Sequence, residues 1–97
     1  MVRSHSYIAT PPGATIKEQL NDRGMNQKEF AARMDMSEKH ISRLIHGDVQ
    51  LTPETAVRLE TVLGVPAKFW NNLEAIYREK KIKVAAENAI DADAEIA

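Results

Sequence analysis

Between Gln27 and Gly47 the chain reads QKEFAARMDMSEKHISRLIHG, and few folds accommodate that stretch. It predicts two short helices joined by a tight turn. Asn26 is a good N-cap residue and Glu29 follows three positions on, the spacing of a capping box, so the first helix is expected over Gln27 to Met34. Phe30, Ala31 and Met34 give that helix one apolar face. Asp35 and Met36 make the turn. Ser37 then caps a second helix over Glu38 to His46, with Ile41, Leu44 and Ile45 inward and Gly47 at the terminating position. Ala31 supplies the small side chain that two helices need where they cross at a steep angle.

This spacing is that of a DNA-binding helix-turn-helix, whose second helix enters the major groove. With Ile41, Leu44 and Ile45 inward, Ser37, Glu38, Lys39, Ser42 and Arg43 are left on the outer side. Such side chains bond base edges or phosphates. The same residues also fit an ordinary αα-hairpin in a small bundle. Asp35 stands where the turn usually has glycine, at modest cost, since Asp tolerates a left-handed backbone better than most residues.

Ninety-seven residues make one domain with a small core. There is no cysteine, hence no disulfide and no thiolate metal site. No secretory or membrane-spanning apolar run is visible, so a cytoplasmic protein is the default expectation. A net charge of −1 opposes a strongly basic nucleic-acid binder, but the charge is uneven. Residues 1 to 51 hold 7 Lys and Arg against 6 acids, and residues 52 to 97 hold 6 against 8. DNA affinity therefore has to come from a local patch and a dimer, since one subunit neutralises few phosphates.

Residues 1 to 12 lack periodicity and read as an arm that ends in Thr10-Pro11-Pro12, with His5 solvated. A first helix with prolines at its start runs from about Gly13 to Arg23, with Ile16 and Leu20 inward and Gly24 as its stop. After the central pair, Leu51 tucks under a short loop, and Thr52-Pro53 starts a helix that continues to Leu63. Val65-Pro66 restarts the chain into a helix whose stripe is Phe69, Trp70, Leu73, Ile76 and Tyr77. Phe69 and Trp70 are expected in the core. Ile76 and Tyr77 extend the stripe past a small core and are assigned to a dimer interface. Residues 78 to 97 are set apart as a charged, alanine-rich extension, with Ile82, Ala86 and Ile90 on one face. Its basic start, Arg78 to Lys83, is read as a solvated charge run.

No catalytic constellation is present. There is no glycine-rich phosphate loop and no His-Glu-x-x-His pair. His40 and His46 lie on different faces of one helix, so no shared metal is expected, and no cofactor is implied.

The run from Pro12 to Tyr77 resembles the HigA-like antitoxins, a branch of the phage-repressor-like (XRE) helix-turn-helix proteins. The residues that carry it are Pro12-Gly13, Gln27 with Ala31, and Ser37 followed by Ile41-Ser42, Leu44-Ile45 and Gly47. To these are added Leu51-Thr52-Pro53 with Thr55-Ala56, and Leu63-Gly64-Val65-Pro66 leading into Phe69-Trp70 and Leu73. The family's His-Pro-Gly-Glu opening is Pro11-Pro12-Gly13-Ala14 here. The resemblance implies an all-α fold of five helices, acting as a dimer; with so little net charge, that dimer is expected to bind an inverted-repeat operator. It also implies repression of its own operon and neutralisation of a partner toxin, typically a ribosome-associated mRNA endonuclease. The DNA-binding role falls on Asn26, Gln27, Ser37, Glu38, Lys39, Ser42 and Arg43. Parts of the sequence are also similar to longer proteins in which this domain precedes a zinc-peptidase-like segment of the ImmA/IrrE type. A plain repressor without a toxin is the third reading.

Overall fold

The computed structural model describes residues 9–96, with side chains described for residues 9–89. His5 and most of the arm lie outside them, as does the side chain of Ile90. Five helices follow in order: α1 (Gly13–Arg23), α2 (Gln27–Met34), α3 (Glu38–His46), α4 (Pro53–Leu63) and α5 (Ala67–Ile96). There is no strand among the described residues.

Local chemistry sets the ends of these helices. The side chains of Asn26, Ser37 and Thr52 each accept from the backbone N–H three residues on, in Glu29, His40 and Thr55 respectively. Leu20, Ala31 and Arg43 each offer a carbonyl to the second residue past a helix end, the Schellman arrangement that closes α1, α2 and α3. Asp35 occupies the left-handed position after α2 at φ 58°, where α1, α3 and α4 use glycine.

None of α1 to α4 is long enough to persist alone in water; burial of one face holds each in place. Ile16, Phe30, Met34, Ile41, Leu59 and Trp70 are fully buried at the centre. α1 and α2 pack on α3, and α4 packs on α2 and α5. Trp70 closes the core, and its indole N–H donates to the Val65 carbonyl at 3.2 Å. Glu60 accepts from the Ala67 N–H at 2.8 Å and so ties the start of α5 to α4.

Three expectations change. Phe69 is not a core residue: it is 42% exposed and meets Trp70 edge-on, centroids 5.3 Å apart. It sits at the exposed edge of the α5 stripe, beside the buried Trp70. Tyr77 is only 8% exposed within its own chain, so its ring is not available as a dimer surface; its hydroxyl reaches Gly47 instead. Pro12 is buried and Pro11 lies against Gly47, so the folded part begins before Gly13 and takes in the last residues assigned to the arm. The extension is the uninterrupted continuation of α5, 30 residues long and roughly 45 Å from end to end. Ile82 is exposed on it.

Trp70→Ala is expected to lower stability by roughly 3–5 kcal/mol, the cost of emptying a large aromatic site, and Phe69→Ala by roughly 1 kcal/mol. Thermal melts of the two variants side by side check the contrast. A Cβ on Gly13 would overlap the backbone carbonyl of Ile45. Gly13→Ala must therefore move α1 or α3, and is expected to cost more stability than Phe69→Ala in the same melts.

Candidate nucleic-acid interface

α3 is nine residues long and divides lengthwise. Ile41, Leu44 and Ile45 face the core, and Ile41 is fully buried. At 100° per residue, Lys39, Ser42, Arg43 and His46 project on the opposite side, with Glu38 on one flank. Lys39, Arg43 and Glu38 are exposed and Ser42 is half-buried. Neither Lys39 nor Arg43 forms an ion pair with a described residue, whereas Arg33, Arg58, Arg78 and Lys83 each pair with a carboxylate four residues before them. The outer row of α3 thus presents two cations that no neighbouring acid in the described part neutralises.

Ser37 and Asn26 cap the two helices of the pair. The Ser37 oxygen accepts from the His40 N–H at 3.0 Å, and the Asn26 carbonyl oxygen accepts from the Glu29 N–H at 2.8 Å. Capping uses an acceptor in each case. It leaves the Ser37 hydroxyl hydrogen and the Asn26 amide hydrogens to donate outward, which is the sense needed for a phosphate oxygen. Gln27 is half-buried at the first position of α2.

Both ends of α3 are braced from elsewhere in the fold. At its end, the first turn of α1 approaches the Ile45 carbonyl at Gly13, and a Cβ at Gly47 would lie 2.8 Å from Pro11 and 3.0 Å from the Tyr77 hydroxyl. At its beginning, the Arg58 guanidinium donates to the Met34 carbonyl at 2.9 Å and the Asp35 carbonyl at 3.3 Å.

Sequence reasoning missed two residues. Paired with His40 in sequence, His46 suggests only metal chemistry; the helix places it on the outer row beside Ser42, and its Nδ1 lies 2.6 Å from the Ser42 carbonyl. Its spacing of seven from Lys39 would have placed it there. Arg58 gave one signal, Glu54 four residues before it, which predicts a surface ion pair and not a bond to the turn. No group of metal-binding side chains occurs among the described residues, and none of their helices is long and apolar enough to cross a membrane.

Comparison with known proteins places this geometry. The helix-turn-helix family profile matches residues 16–70. A relative from Escherichia coli, the uncharacterized HTH-type transcriptional regulator YddM, is 38% identical over 63 residues, 65% of this chain and 67% of that protein. A crystal structure assigned to the antidote proteins of a plasmid maintenance system, from Nostoc punctiforme, is 28% identical with a TM-score of 0.67, and 87% of this chain covers 88% of it. The Pseudomonas aeruginosa antitoxin HigA, solved with the higBA promoter, shares the fold at 20% identity with a TM-score of 0.76, and 88% of this chain covers 94% of it. From residue 16 to residue 70 the matched family spans the capped helix pair, its turn and the helices that brace it, and the chain belongs to the helix-turn-helix family of DNA-binding regulators, in its XRE-type branch.

Proposed function

We propose that this chain is a sequence-specific transcriptional repressor that binds an inverted-repeat operator as a homodimer, and that it is the antitoxin of a type II toxin–antitoxin module. In that role it represses its own operon and neutralises a partner mRNA-endonuclease toxin. The observation that carries the DNA-reading part is the outer row of α3, where Lys39, Ser42 and Arg43 stand on a helix whose other side is buried. The antitoxin part draws support from the solved structures described as an antidote protein and as HigA. The Escherichia coli relative is named only as a transcriptional regulator, which favours a repressor without a toxin as the second reading. Co-purification from the native host separates the two: a small co-eluting toxin supports the first, and its absence the second.

Within the site, Arg43 is assigned to a guanine, whose O6 and N7 a guanidinium bonds in bidentate fashion. Lys39, one turn earlier, takes a phosphate or a guanine. Glu38 suits the positive end of α3 and, near DNA, acts in selection by accepting from a cytosine amine while repelling phosphate. Asn26, Gln27 and Ser37 bond the backbone. Arg43→Ala is expected to cost roughly 1–3 kcal/mol of operator binding and to relax preference at one base pair per half-site. Lys39→Ala on a phosphate should weaken all sequences alike and flatten the salt dependence. Titration against operator and scrambled duplex at two salt concentrations decides it. Equal loss on both duplexes for Arg43→Ala makes that residue a phosphate contact, and no loss removes it from the site.

The dimer face is assigned to the side of α5 on which Phe69 and the 61% exposed Ile76 lie two turns apart. Half-sites are expected about 34 Å apart, one turn of duplex, or a multiple of that. Sedimentation should give a dimer at micromolar concentration and a monomer for Ile76→Asp, with the melting temperature of the fold little changed. A monomeric wild type that binds a single half-site as tightly as the repeat would overturn the dimer.

A further inference from the structure

We propose that Arg58 is a positioning residue for DNA reading: it fastens the turn between α2 and α3 to α4, and so sets the angle at which α3 meets a duplex. The inference rests on the DNA-reading role proposed above.

The turn has only three residues in which to reverse the chain. Its amides are used at once, Asp35 N–H returning to the Ala32 carbonyl at 3.2 Å and Met36 N–H to the Ala31 carbonyl at 3.0 Å. The carbonyls of Met34 and Asp35 are then left over, because α2 has ended and no later amide of the helix reaches them. Arg58 takes both. Its Nη1 donates to Met34 at 2.9 Å and to Asp35 at 3.3 Å, while its Nη2 donates to the Glu54 carboxylate at 3.1 Å. Glu54 and Arg58 stand four apart on α4, so the guanidinium is gripped from one side by its own helix and grips the turn on the other.

Asp35 is the residue at which orientation would slip. It holds a left-handed backbone, φ 58° and ψ 46°, without being glycine. A donor on its carbonyl fixes the peptide plane that leads into Met36 and Ser37, and Ser37 is the cap of α3. A change at that plane swings the whole of α3. Fidelity of base contacts depends on such angles more than the stability of the fold does, since a bidentate pair needs both atoms in reach. Arginine is required here because its planar fork serves two carbonyls and a carboxylate together; an ammonium on a flexible stem is a single point of donors.

The test uses the full chain and two duplexes: one selected by the wild type from a random-sequence pool, and a scrambled duplex of the same composition. Wild type, Arg58→Met and Arg58→Lys are titrated on both at two salt concentrations, well below each protein's melting temperature. For Arg58→Met the expected result is about a tenfold loss on the selected duplex, comparable to one lost base contact, with scrambled binding and the salt dependence unchanged. Arg58→Lys should recover part of the loss, and if Arg58→Met does not fold, a partial loss of preference in Arg58→Lys carries the proposal. A lowered melting temperature with undiminished preference in the folded variants overturns it and leaves Arg58 as a stabilising residue only. Equal loss on both duplexes with a flatter salt dependence also overturns it, since that is the behaviour of a phosphate contact. A wild type that selects no duplex refutes the DNA-reading role itself, a failure distinct from that of Arg58.

Discussion

The first turn of α1 lies directly against the Ile45 carbonyl, and it can do so only because residue 13 has no side chain. Much of the architecture follows from that approach. The contact brings the positive end of one helix dipole to the negative end of another, α1 beginning where α3 finishes. It puts Pro11 over Gly47, and Tyr77 arrives at the same spot from α5. Three parts of the chain that are far apart in sequence thus converge on the last turn of α3. Ile45 and Leu44 point into the core from that turn, so the backbone contact and the apolar packing hold the same segment from two directions.

α3 is stable for reasons that have nothing to do with its outer side. Burying a residue such as Ile41 or Leu44 is worth about 1.5–3 kcal/mol each, whereas exposed charges on a helix surface contribute little. Lys39, Ser42 and Arg43 are therefore open to change without loss of the fold. Asn26 and Ser37 are constrained differently, because each also supplies the acceptor that starts its helix.

What was legible in the sequence was what local chemistry decides. Asn26, Ser37 and Thr52 as caps, Gly24, Gly47 and Gly64 as stops, and Asp35 in the left-handed turn all stand where their side chains or the lack of one require. The inward faces of α2, α3 and α4 followed from helical period. What was not legible depended on a partner distant in the chain. Period places Phe69 and Tyr77 on one broad stripe, but only tertiary packing decides that the first stays exposed and the second is covered beside Gly47. The bonds from Arg58 cross more than twenty residues to reach two backbone carbonyls, and a carbonyl has no signature in the sequence. His46 is a different case: its place on the outer row is implied by its spacing of seven from Lys39.

The hydroxyl of Tyr77 at Gly47 sets α5 against the end of α3. Ile76 and Tyr77 are consecutive, so one faces solvent while the other bears on the end of α3. A single residue step along α5 separates its exposed Ile76 from the side chain that abuts the end of α3. A partner seated on Ile76 would therefore lie next to the side chain through which α5 abuts the last turn of α3.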